Sequence, residues 1–143
     1  MSTSKFTELY TTLFPVVEKS EKQKLKIQSF MDALDSMLRL ESGNLAIAAI
    51  YLERLKGANA KKKRYIAKEF KYVILTLFIL ADKMWNDLHF QPSEYIYVLR
   101  VDYKIDLYQE IQARVERRML GVMGYNLFIT LDEFKEYKIK MNK

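Results

Sequence analysis

Few residues in this chain have the type and spacing to do chemistry. It has one histidine, His89, and no cysteine. Disulfides, thiol nucleophiles, thiolate metal sites and histidine-rich metal sites are therefore excluded. The aspartates and glutamates are scattered without metal-ligand or acid–base spacing, so neither catalysis nor a cofactor is expected. What remains is charge set inside apolar stretches, whose chemistry is binding. Lys83 lies in ADKMWND (81–87), Glu116 in VERRMLGVMGYNL (115–127), and Glu53 and Arg54 in YLERL (51–55). On a helix at 100° per residue, Tyr108, Ile111, Val115, Met119 and Val122 form a core stripe. Glu116 then falls on the flank among Met119, Leu120 and Met123, where a carboxylate is costly without a partner. The plainer alternatives are an i,i+4 surface group for Glu116 and a helix-dipole complement for Lys83. Trp85 reads either as a helix-end anchor with its N–H bonded or, with Met84 and Leu88, as part of a partner-facing rim.

These residues need helices to position them, and the sequence supplies little else. No segment alternates with the period of a strand, and two prolines and four glycines punctuate the chain. A first helix is expected over 4–13, stopping before Pro15. A second covers 24–39, with Leu25, Ile27, Phe30, Leu34, Met37 and Leu38 at helical intervals. A third covers 43–56, apolar nearly all round, with Ala46, Ala48 and Ala49 admitting close neighbours and Gly57 as C-cap. KKKR (61–64) reads as a basic loop. The fourth helix, 65–85, is apolar over its whole circumference from Tyr72 to Ala81, the pattern of an enclosed helix, with Leu77 at its centre. Pro92 should open a helix to Arg100. Asp106 and Gln109 resemble a capping box for a helix over 106–123 that ends at Gly124. Thr130 should cap a last helix over 131–141. The expectation is an all-α fold.

The triplet NLAIAAIYLERL (44–55), ADKMWND (81–87) and VERRMLGVMGYNL (115–127) resembles a cyclin box, most closely the short single-box cyclins of the cyclin Y and phosphate-cyclin type. The resemblance covers 24–130 and implies five helices around one central apolar helix. Residues 1–23 would then be a helical extension, and 131–143 a helical tail. It implies no enzyme activity. It implies a regulatory subunit that binds and activates a cyclin-dependent-type protein kinase by positioning the kinase's regulatory helix. Lys83 and Glu116 match the family's polar anchors, with Met84, Trp85 and Leu120 on the same surface. Glu53 and Arg54 match a pair that is structural as much as functional there, Arg54 as a salt-bridging or helix-tethering group. Two departures stand out. The first box helix, LKIQSFMDALDSML (25–38), lacks the M-R-A-I-L substrate patch, and Asn86 precedes Asp87 where many relatives carry two acids.

Two rivals come from other classes: a cyclin-fold scaffold for a non-kinase protein, and a basic, transcription-factor-type nucleic-acid-binding domain. The net charge of +6 is modest, and it reads better as solvated faces than as a nucleic-acid footprint. KKKR can also be taken as an import signal. The GxxG spacing of Gly121 and Gly124 ends a helix and is set aside. The N-terminal MSTSKFTELY has no apolar core for a signal peptide, and Tyr72–Ala81 is about half the length of a bilayer span. An intracellular protein, nuclear or cytoplasmic, with no membrane partner is expected.

Overall fold

The apolar runs settle the architecture before any site is considered. The computed structural model describes residues 3–16, 20–85 and 91–142. Among these residues it is all-helical, with α1 Thr3–Leu13, α2 Ser20–Leu38, α3 Ser42–Arg54, α4 Ala60–Lys68, α5 Phe70–Trp85, α6 Pro92–Val101, α7 Gln109–Val122 and α8 Leu131–Asn142.

Two helices, rather than the one expected, are enclosed. Gly43 to Leu52 of α3 and Tyr72 to Ala81 of α5 are buried without interruption, and the two helices pack on each other. A helix apolar all round has no solvent face and must be covered from every side. The covering comes from α1, α2, α7 and α8. On α2 the buried side chains are Ile27, Phe30, Met31 and Leu34, with Met37 and Leu38 half-buried. Leu25, expected in this stripe, is 71% exposed because it lies about 200° around the helix from Ile27.

The segments expected to flank the domain are built into its core. Phe6 and Tyr10 of α1 are fully buried. Phe6 meets Phe78 of α5 at 5.2 Å between ring centroids, and the Tyr10 hydroxyl donates to the carbonyl of Ile66 at 2.5 Å. Burial pushes the Tyr10 phenol well above its ordinary pKa. At the other end α8 lies along α3 and buries Tyr137 and Met141.

Local chemistry explains where the boundaries moved. KKKR is helical, not a loop. Asn59 caps α4 by accepting from the Lys62 N–H at 2.9 Å, and Ala, Lys and Arg are all strong helix formers. The expected 65–85 helix is broken at Glu69, whose backbone leaves the helical region at φ −95°, ψ 45°. Helix α3 ends at Arg54 and tightens into a 3₁₀ turn, Leu55–Gly57, instead of stopping on a glycine cap. Helix α7 begins three residues later than Asp106. Leu107 is buried, and the Tyr108 N–H donates to the Tyr72 hydroxyl at 2.9 Å, so Tyr108 becomes the N-cap. At the far end of α7, Gly124 adopts φ +64°. The Tyr125 N–H reaches the Leu120 carbonyl at 2.8 Å and the Gly124 N–H reaches Gly121 at 3.1 Å, a Schellman closure.

Leu77 is wholly buried in the middle of α5. Leu77→Ala should cost about 2–5 kcal/mol of unfolding free energy, because the surrounding helices cannot collapse into the space. Urea denaturation measures this directly, and a loss below about 1 kcal/mol would show that α5 is not the core.

Candidate protein-docking site

Helix α5 is buried as far as Ala81 and then emerges. Asp82 is half-buried, Lys83 is exposed and Met84 is 50% exposed. Asp82 accepts a short hydrogen bond from the Tyr95 hydroxyl of α6, which fastens the end of α5. Among the described residues Lys83 has no hydrogen-bond or ion-pair partner. The side chain of Trp85 and the whole of Asn86, Asp87, Leu88 and His89 lie outside the described residues.

Helix α7 packs against α5 through a polar contact inside an apolar interface. Gln112, only 2% exposed, donates to the Thr76 hydroxyl at 3.2 Å and to Glu116 Oε1 at 3.3 Å. The Thr76 hydroxyl in turn donates to the Tyr72 carbonyl at 2.8 Å. This chain holds Glu116, which is half-buried and has no cationic partner among the described residues. Leu120, one turn on, is half-buried against the core. Arg117 is exposed. The buried stripe of α7 is Gln112, Val115, Met119 and Met123. Tyr108, expected in that stripe, is 44% exposed and lies under the Arg100 guanidinium. Its N–H is held by the Tyr72 hydroxyl while its ring faces outward.

Lys83 and Glu116 are therefore on two helices that touch, but they do not pair with each other. Lys83 is about 10 Å along α5 from Thr76, and Glu116 about 6 Å along α7 from Gln112. The two groups and Met84 keep bonding and contact capacity for another molecule.

Arg54 has a different task. Its guanidinium donates to the carbonyls of Asn126 (2.8 Å) and Phe128 (2.7 Å), and pairs with Glu133 at 3.0 Å. Beside it, the Tyr51 hydroxyl donates to the Leu127 carbonyl at 2.9 Å. Together they clamp the α7–α8 connection onto the end of α3. Burial raises the Tyr51 pKa, while the charge of Arg54 lowers it. Glu53 is half-buried next to this clamp.

Sequence reasoning missed Gln112, because a glutamine in a helix resembles a surface residue. Its position three residues before Val115 and four before Glu116 was the available signal. It also missed Tyr95, whose partner lies thirteen residues away in a separate helix. Among the described residues no cluster of three or more His, Asp or Glu could hold a metal ion, and no helix is long and apolar enough to cross a membrane. The chain matches no protein-family model, no curated protein and no solved structure.

Two outcomes follow. Arg54→Ala should cost about 2–4 kcal/mol, since it removes charged hydrogen bonds to two carbonyls and leaves Glu133 unpaired. Arg54→Lys should recover only part of that, because an ammonium cannot bridge both carbonyls and the carboxylate. Denaturant titration of both variants gives the comparison.

Alkaline pH should lower the stability of the fold through Tyr95, which fastens the α5–α6 junction. Burial first, and the hydrogen bond to Asp82 second, raise the folded pKa of Tyr95 far above its ordinary value. The neutral phenol is therefore the form that the fold prefers. Its contribution is fully present below about pH 10 and is lost as the pH rises past the unfolded value. Stability measured from pH 8 to 11.5 should fall less steeply above pH 10 in Tyr95→Phe than in the parent. Equal slopes would show that Tyr95 titrates freely in the fold.

Proposed function

We propose that this chain is a regulatory subunit of a cyclin-dependent-type protein kinase. The observation that carries the reading is that Lys83, beside an exposed Met84, and a half-buried Glu116 on the neighbouring helix both lack an ion-pair partner among the described residues. Lys83 and Glu116 are the two residues that the cyclin-box resemblance names as polar anchors. The all-helical core built around α3 and α5 is compatible with that resemblance.

The mechanism is one of differential support. A kinase of this class alone leaves its regulatory helix away from the catalytic lysine. A partner shifts that equilibrium only through contacts made better in the active arrangement. Met84 and Leu120 supply apolar area, whereas Lys83 donates to, and Glu116 accepts from, backbone groups of the kinase segment. Paired within a buried interface, those groups fix register. Left unpaired, they would carry a desolvation penalty.

Lys83→Ala and Glu116→Ala should each weaken kinase binding by about 2–5 kcal/mol while leaving thermal stability within about 0.5 kcal/mol of the parent. Arg117→Ala, an exposed neighbour, should cost about 1 kcal/mol or less. Titration calorimetry and kinase assays across a panel of purified cyclin-dependent-type kinases read both quantities. Equal damage from Arg117→Ala, or binding indifferent to all three changes, defeats the proposal.

A further inference from the structure

A second site lies near the start of α5, about 15 Å along its axis from Lys83, and does not depend on the kinase reading. Leu55, Ile66, Val73, Val115, Met119 and Val122 line a cavity of about 330 Å³ between α4, α5, α7 and the turn after α3. Its remaining lining residues include Lys61, Lys62, Arg118 and Tyr65. Such a volume is at the small end of ligand pockets and suits one large aliphatic or aromatic side chain.

The charged residues that line this cavity, Lys61, Lys62 and Arg118, carry one sign of charge. Helix α4 has five cationic residues and no acidic one, and Lys61 to Arg64 are all exposed. Across the cavity, α7 adds the exposed Arg118. Among the described residues, none of these cations has a carboxylate partner. The repulsion is sharpened because Lys61 and Lys62 sit in the first turn of α4, where the helix dipole disfavours positive charge. Arg118 is held over the ring of Tyr65, 5.6 Å from its centroid, which sets one cation at the cavity's edge.

An apolar floor inside a cationic rim selects a ligand that is acidic outside and hydrophobic at one point. We infer that this cavity docks an acidic peptide segment of a partner protein, seating one bulky apolar side chain among Val73, Val115, Met119 and Val122 while its flanking carboxylates meet Lys61, Lys62 and Arg118. A nucleic-acid backbone would use the rim but not the aliphatic floor. A small anion would likewise leave the aliphatic floor empty. Lys61 and Lys62 of KKKR thus form one bank of the groove.

The probe is a fluorescein-labelled peptide with a central leucine and four aspartates on each side, followed by anisotropy. Controls are the same peptide with central serine, a lysine-flanked version, and single-stranded DNA of equal charge. The parent protein should bind the leucine peptide at least about tenfold more tightly than the serine peptide and the DNA, and the lysine-flanked peptide not at all. Lys62→Glu and Arg118→Glu, both exposed, should each weaken binding at least about tenfold without changing the circular dichroism. Val122→Phe, which narrows the floor and keeps every cation, should erase the preference for leucine over serine. Lys83→Ala and Glu116→Ala should have no effect. Equal affinity for leucine and serine peptides, equal or better binding of DNA, or indifference to Lys62→Glu and Arg118→Glu would overturn the inference. Dependence on Lys83 or Glu116 would place the peptide on the other surface and overturn it too.

Discussion

Everything in this molecule follows from two adjacent helices that cannot meet water. Helices α3 and α5 are apolar around their full circumference, so each exposed face would cost about 25 cal/mol for every square ångström left uncovered. Packing them together satisfies only one side of each. The other sides dictate where α1, α2, α7 and α8 must lie. The alanines of α3 let these neighbours come close, and the large rings of Phe6, Phe30, Phe70 and Phe78 fill the wider gaps. The site residues inherit their positions from that demand. Lys83 and Met84 emerge because α5 outruns its cover. Glu116 sits at the border where α7 turns from buried to exposed.

Polar side chains fasten the periphery once the apolar pair has gathered it. Arg54 and Tyr51 hold the α7–α8 connection, Tyr95 holds the end of α5, Gln112 joins α7 to Thr76, and Tyr10 ties α1 to the α4–α5 break. Each link bridges residues distant in sequence. Each also satisfies a group that burial would otherwise strand, in keeping with the near-complete pairing of buried polar atoms in native folds. Among the described residues no buried side-chain nitrogen or oxygen lacks a partner.

Helix existence was legible from apolar spacing, and so was the enclosed character of Tyr72–Ala81. Three things were not. A single central helix was what the resemblance implied, although residues 43–56 are apolar nearly all round and α3 is enclosed as well. Charge density made KKKR look like a loop, although Asn59 and Ala60 carried the cap and the propensity for a helix. A tertiary hydroxyl, that of Tyr72, overrode the local capping signal at Asp106. For the candidate site, Lys83, Glu116 and Arg54 could be named from their motifs, whereas the cationic cavity draws on four separate stretches of chain. No local pattern announces such an assembly.

The lie of α8 along α3 has a consequence for biogenesis. Helix α8 is the most extensive neighbour of α3, and its residues, 131–142, leave the ribosome long after those of α3. At about 5–20 residues per second, α3 waits several seconds for its cover. Over that interval the nascent chain presents the apolar stripe of α3 that α8 later covers, the kind of surface chaperones hold. A translation product stopped before residue 131 would keep that stripe permanently open. Degradation machinery that senses exposed apolar helices would thus act as a proofreader of chain length for this protein.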